Sequence, residues 1–500
     1  MNFSQTPKLL LAVLTAALVM LIGQPTTAEV NLPDMGSPAD AILSKSDEAQ
    51  IGRAIMRQIR ASGALVEDPQ ITEYINEIGH RISAHANDGG QKFTFFVIDA
   101  PSINAFALPG GYIGVHMGLI EASRSEDELA GVLAHEIAHV TQRHIARAIH
   151  AGQRQSILST AIMLGAILAG AAGAGADAVQ GAIAVAQGTR MQQQINFTRS
   201  NEYEADRIGM EALAASGFDP EGMASFFEVI SRSTRPVEAR TPEFLRSHPV
   251  TTARIAEARN RARSYTRVLT EDTHNYGIAR ARLMANAADT PEDAVALFEA
   301  QSYEQQSDAA RYGRAVAYQR AGRDLEANQI FEDLLSRDHQ VIAYHIGLAE
   351  AQLALERVRE SKLTFEHAIE LFPRNVPLVV HYAEALLQFD QAEKAHDILL
   401  DLLNNVPPTP EQIRLIARAA IDAGDAAEAH YYMAEYRFMI GDLVGGVDFL
   451  QRALNLPNLE EIQRIRYEAR IDFIQEFMSE EQLQQMQRNR PRGSVAGVTG

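Results

Sequence analysis

The stretch Ala134-His135-Glu136-Ile137-Ala138-His139-Val140 organises the whole chain. Two histidines four residues apart on a helix project from one face about a turn apart, so their imidazoles can converge on one metal ion. The glutamate between them can then reach a metal-bound water, which is the arrangement of a zinc hydrolase. The setting supports a helix here. Ser125 reads as an N-cap with Glu128 at N3 and acids in the first turn, and Leu129, Val132, Leu133, Ile137 and Val140 follow at helical spacing.

A catalytic zinc usually has three protein ligands and one open position. The third is expected on a downstream helix, and Ser200-Asn201-Glu202-Tyr203-Glu204-Ala205-Asp206 opens one that runs to Gly217 as a C-cap, with Pro220 beyond. Glu202 and Asp206 share a face. One carboxylate can bind the metal while the other accepts an N–H from a ligand imidazole. Glu204 points elsewhere and reads as a solvated acid favoured by the helix dipole. Ala205 and Gly209 are small enough to let this helix approach the histidine helix closely. Farther on, Pro249 disfavours helical geometry at His248, which places that imidazole on a turn. It can close the coordination sphere as a fourth ligand in a latent state, serve the oxyanion, or simply sit in a surface loop.

Upstream of the metal helix, helices are expected over residues 46–61 and 69–86, the second with Asp68 as cap and Pro69 at its first position. Phe93, Phe95 and Val97 alternate with Thr94, Phe96 and Ile98, and runs 104–108 and 112–115 are joined through Pro109-Gly110-Gly111. A small sheet therefore precedes the metal helix, either holding an extended peptide along an edge strand or only covering the core.

The first 28 residues read as a secretory signal: Lys8, an uncharged stretch from Leu9 to Ile22, then Gln24-Pro25-Thr26-Thr27-Ala28 with cleavage near Ala28. A loose polar arm extends to about residue 45. The chain has no cysteine, so neither disulfides nor a lipidated cysteine stabilise or anchor it. Its net charge of −19 becomes −20 once Lys8 is removed with the signal, which excludes an electrostatic nucleic-acid binder. Gln155 to Ala176 carries no charge, and Ala- and Gly-rich sequence continues to Gly188. A single membrane crossing there would separate the histidine pair from the third ligand. Residues 155–188 are therefore expected as a helical hairpin, packed as a lid or in peripheral contact with a membrane interface.

From about residue 270 the chain repeats. Ala327, Ser361, Ala395 and Ala429 lie 34 residues apart, and Phe331, Phe365 and Leu399 keep the interval, as do Pro373 and Pro407. That is the tetratricopeptide period. The register slips near Gly441, where Gly446 takes the small position early, so the last units are expected to be irregular. Tyr312, Tyr318, Tyr344 and Tyr382 read as stacking core, and residues 490–500 as a disordered tail. The expected fold class is thus mainly α with a small β-sheet. A zincin-like domain over residues 29–265 is followed by an α-solenoid of repeats over residues 270–489 that presents a surface to another protein.

Taken together, His135-Glu136-Ile137-Ala138-His139, Glu202-Tyr203-Glu204-Ala205-Asp206, Asn104-Ala105-Phe106-Ala107-Leu108-Pro109-Gly110-Gly111 and Ser247-His248-Pro249 resemble the metallopeptidase family of the CaaX prenyl proteases and the heat-shock protease HtpX. With a signal in front and repeats behind, the chain is similar to the exported, repeat-bearing branch of that family. The resemblance implies that Glu202 is the third ligand of one Zn2+ per chain, that Asp206 supports it, and that Glu136 is the catalytic base. It also implies a periplasmic location in a Gram-negative bacterium, outer-membrane proteins as substrates, and a docking partner in the outer-membrane β-barrel assembly machinery. The multi-span membrane helices of the CaaX and HtpX branches are absent, so their intramembrane substrates do not carry over. Two other functions compete: a repeat-based chaperone or assembly factor with vestigial proteolysis, and a general envelope quality-control protease without a dedicated partner. Retention of Glu136 argues against a decayed peptidase.

Overall fold

The computed structural model describes residues 43–86, 90–150, 199–233, 242–265, 274–300, 302, 306–457 and 459–489. Residues 1–28, expected as a signal peptide, the apolar 155–188 segment, expected as a hairpin, and residues 490–500, expected as a disordered tail, lie outside the described residues. No helix among the described residues is long and apolar enough to cross a membrane.

Helix α1 (Lys45–Ala61) starts at a capping box between Ser44 and Asp47, and α2 (Pro69–Ser83) starts at Asp68, whose carboxylate accepts from the Gln70 and Ile71 amides. Three strands follow: β1 (Thr94–Ile98), β2 (Ala105–Leu108) and β3 (Tyr112–His116). Their order is β1-β3-β2, with β1 parallel and β2 antiparallel to the central β3. Gly110 and Gly111 make the β2–β3 turn at φ +81° and +85°, a region that L side chains rarely adopt. The alternation of β1 is explained by burial on both faces. Phe95 and Val97 enter the main core with α2, while Phe96 and Ile98 pack with Phe106 and Leu108 against Ile55, Met56 and Ile59 of α1.

After the short α3 (Met117–Ala122), the sheet leads into α4 (Glu126–Thr141), capped by Ser125, and then α5 (His144–His150). Beyond the undescribed stretch come α6 (Arg199–Ala215), α7 (Glu221–Ser233), α8 (Glu243–Ser247) and α9 (Thr252–Ala262). Every residue of α4 from Leu129 to His139 is buried. An all-round buried helix needs close neighbours, and two glycines provide them. A Cβ on Gly209 of α6 would lie 2.7 Å from the Ala134 carbonyl oxygen, and one on Gly131 of α4 would lie 2.8 Å from the Met223 backbone of α7.

The remainder is a stack of helix pairs: α10 (His274–Ala287), α11 (Pro291–Glu299), α12 (Asp308–Arg320), α13 (Asp324–Arg337), α14 (Ile342–Ala354), α15 (Val358–Leu371), α16 (Val376–Gln388), α17 (Ala392–Asn405), α18 (Pro410–Asp422), α19 (Ala426–Ile440), α20 (Leu443–Leu454), α21 (Glu461–Gln475) and α22 (Glu480–Asn489). The starts of α10, α12, α14, α16 and α18 are 34 residues apart, and so are those of α13, α15, α17 and α19. Ala327, Ser361, Ala395 and Ala429 are all buried, with Phe331, Phe365 and Leu399 beside them. The expected slip at Gly441 is one of residue content more than of helix placement. α20 starts 33 residues after α18 and α21 starts 35 after α19, so Gly446 sits on the first helix of the next pair. Gln463 then stands where the earlier second helices carry a small residue.

The two halves share a core. Tyr276, Ala279 and Leu283 of α10 are buried in the same cluster as the α4 and α7 side chains, and the Tyr276 hydroxyl donates to the Ser123 carbonyl at 2.7 Å. Three of the first helices, α10, α12 and α16, also reach α2. Arg282 pairs with Asp68 at 2.7 Å, Tyr312 donates to Gln70 at 3.3 Å, and Asn375 donates to Glu73 at 2.9 Å. Burial, together with the like charge of Glu77 and against the Asn375 hydrogen bond, pushes the Glu73 carboxyl up to about 7. A carboxyl raised in the fold favours folding fully below its ordinary value of 4.5 and progressively less as pH rises through about 7. Glu73→Gln is therefore expected to stabilise the protein by about 2 kcal/mol at pH 8, after discounting for a half-buried group, and to leave it unchanged at pH 4. Thermal unfolding at the two pH values checks this; equal effects at both would show that Glu73 ionises freely.

Candidate metal centre

The His135 and His139 side chains leave the same face of α4, with Nε2 atoms 3.0 Å apart. Helix α6 crosses this face at Gly209 and brings Glu202 in, its oxygens 3.5 Å from each of those nitrogens. The turn after α8 brings His248, whose Nδ1 is 3.3 Å from His135 Nε2 and 3.2 Å from Glu202 Oε1. Donors about 2.0–2.2 Å from a tetrahedral divalent ion are separated by about 3.3–3.6 Å, so these separations fit a four-ligand metal site. All four residues are buried, and they form the sole group of this kind among the described residues.

Glu136 is fully buried beside this cluster. His248 Nε2 lies 3.4 Å from Glu136 Oε1. Burial holds the Glu136 carboxyl above its ordinary value, despite the nearby His248 and His135 rings and the Ala107 amide of β2. A buried carboxyl set among converging imidazoles is the kind of perturbed ionisable group that clusters at functional sites.

Around the donors runs a ring of supporting groups. Asp206 Oδ1 lies 3.0 Å from His135 Nδ1. Arg254 of α9, itself buried, donates to both Asp206 oxygens at 2.7 Å, to Glu202 Oε2 at 2.8 Å and to the Pro249 carbonyl at 2.9 Å, with its guanidinium over the Phe227 ring. Burial opposes ionisation of Glu202 and Asp206, but the histidine and arginine partners outweigh it and hold both carboxyls below their ordinary values. Burial likewise opposes the charge on His135, yet Asp206 and Glu202 lift its pKa to about 9. Burial keeps His139 well below the ordinary imidazole range.

The fold thus gathers His135, His139, Glu202 and His248, places Glu136 inside and sets Asp206 behind His135. Glu204 does point away from the donors, but it is not merely solvated: it pairs with His144 at 3.2 Å and Arg147 at 2.9 Å. Sequence reasoning missed Arg254 and His144. Arg254 carries no local signal, being one arginine among several on α9. His144 lies five residues past His139, off the helical face, and reaches it because Arg143 breaks the helix at φ +51°.

Residues 69–262 match Peptidase family M48. The beta-barrel assembly-enhancing protease of Escherichia coli strain K12 is 37% identical over 485 residues, covering 95% of this chain and 98% of that protein. The protein of the same name from Yersinia pestis is 35% identical over 448 residues, covering 88% and 91%. Metalloprotease LoiP of Escherichia coli is 27% identical over 195 residues, 38% of this chain and 69% of its own length. Likeness running from end to end, across peptidase domain and repeats alike, places the chain in peptidase family M48 among the beta-barrel assembly-enhancing proteases.

Proposed function

We propose that the protein is a periplasmic zinc metalloendopeptidase that removes misassembled or stalled outer-membrane proteins and assists their assembly, docking on the β-barrel assembly machinery through its repeats. The observation that carries the catalytic part is the convergence of His135, His139, Glu202 and His248 beside the fully buried Glu136. The relatives' names support the substrate class, and the chain's −19 charge argues against nucleic acid. Export rests on the signal-like residues 1–28.

In this reading His135, His139 and Glu202 hold one Zn2+, which when bound polarises the scissile carbonyl and acidifies a water. Glu136 is the residue placed to take a proton from an attacking water and to hand it to the leaving amine. Its raised pKa suits both halves of that transfer. Strand β2, an edge of the sheet beside α4, offers main-chain groups to an extended substrate, which positions an amide without reading much sequence. Asp206 and Arg254 keep His135 and Glu202 aimed.

His248 has Nδ1 at ligand distance and Nε2 against the base, so in this conformation it fills the space a water needs. The resting protein is then latent, and displacement of the α8–α9 turn activates it. His248→Ala is expected to raise basal cleavage and self-cleavage severalfold. A fall instead would assign His248 to the oxyanion, and wild-type activity with wild-type zinc affinity would exclude both roles. The proposal as a whole is tested by metal analysis of the purified protein with casein degradation measured before and after chelation. Stoichiometric zinc and chelator-sensitive cleavage are expected; a metal-free active protein would refute it.

A further inference from the structure

We propose that His144, held by Glu204, is a positioning residue for His139: it fixes which ring nitrogen of His139 carries the proton and so aims the other at the metal. The inference rests on the metal-site reading above and extends it to residues that touch no ligand position.

The chain of contacts is explicit. His139 turns Nε2 toward His135 and Glu202, and its Nδ1 lies 2.8 Å from His144 Nδ1. His144 Nε2 lies 3.2 Å from Glu204 Oε2, and Arg147 donates to that same oxygen at 2.9 Å. Two imidazole nitrogens at 2.8 Å share one proton, so one must donate and the other accept. The far end decides which. A carboxylate paired with an arginine only accepts, so His144 carries its proton on Nε2 and leaves Nδ1 as acceptor. His139 must then carry its proton on Nδ1, which leaves the Nε2 lone pair facing Glu202.

The backbone is bent to make this contact. Arg143 adopts φ +51°, which ends α4 and restarts the chain as α5 with His144 turned back against His139. Helix α6 consequently backs both ligand histidines: Asp206 meets His135 directly, and Glu204 reaches His139 through one intervening imidazole. Glu202 precedes both on the same helix, so a single helix supplies one ligand and both orienting charges.

The test uses full-length protein and zinc alone, in competition with a chromophoric chelator. His144→Leu is expected to weaken zinc by roughly 10- to 100-fold, the usual effect of losing a group that orients a metal-bound histidine. His144→Asn, whose carboxamide oxygen can accept near the Nδ1 position, should recover most of that loss, and Glu204→Gln should cost only a few-fold. Wild-type affinity in His144→Leu overturns the proposal, and so does an equal loss in the Leu and Asn variants, which would make His144 a space-filler. Should either variant fail to fold, ring-nitrogen NMR of the zinc-loaded wild type decides the matter. Protons on His139 Nδ1 and His144 Nε2 are expected; a proton on His144 Nδ1 overturns it. His139→Ala separates the two levels: unchanged zinc affinity there would sink the metal-site reading itself, whereas lost zinc there with retained zinc in His144→Leu would sink only the relay.

Discussion

Glu136→Gln is expected to bind zinc as the wild type does and to cleave casein roughly 10³-fold more slowly, the usual range for loss of a general base. Glutamine keeps the volume in a fully buried position and cannot take a proton. A carboxamide oxygen can accept from the Ala107 amide and face the His248 ring as a carboxylate oxygen does, so folding should be little affected. Glu202→Gln and His139→Ala provide the contrast, since both should lose zinc together with activity. Zinc content and cleavage rate measured on the same preparations give the answer. Stoichiometric zinc in Glu202→Gln would reassign the third ligand, and substantial cleavage by Glu136→Gln would require another base.

Arg254→Met should be the most destabilising change near the site. It strips a buried guanidinium from two buried carboxylates, and breaking such a pair from one side costs about 3–5 kcal/mol. Zinc should weaken as well, because Glu202 and, through Asp206, His135 lose the group that orients them. Arg254→Lys is expected to rescue little, since a single ammonium cannot serve Asp206, Glu202 and the Pro249 carbonyl at once. Removing both charges in Asp206→Asn/Arg254→Met should cost less than the sum of the single changes. Thermal unfolding with and without zinc measures these effects. A wild-type melting temperature for Arg254→Met would mean that the network contributes nothing.

The four side chains that the fold gathers could be picked out from sequence because each carries a local mark. His135 and His139 have their four-residue spacing, Glu202 and Asp206 share a helix face, and His248 precedes a proline. The repeat register was legible for the same reason, as Ala327, Ser361 and Ala395 recur where helices must approach. What sequence could not convey depends on which surfaces meet in space. Arg254 looks like any exposed helix arginine until α9 packs on α6. His144 requires the left-handed Arg143 turn, which nothing in Thr141-Gln142-Arg143 announces. The alternation of Phe95 and Phe96 marks a strand but not what covers it: Phe95 packs in the core with α2, and Phe96 packs against α1. The lodging of α2 against the repeats is carried by scattered polar residues, among them Asp68, Glu73, Arg282 and Asn375, with no common pattern.

The shared core at α10 determines where the polypeptide can be divided. A cut in the 266–273 stretch, where composition changes, would strip Tyr276, Ala279 and Leu283 from the peptidase interior and expose the apolar side chains they cover. A peptidase fragment made that way would be expected to aggregate whatever the repeats contribute to catalysis. Its inactivity would then say nothing about partner docking. A boundary just past Ala287 retains α10, and only such a fragment can report whether the remaining repeats restrain or deliver the enzyme.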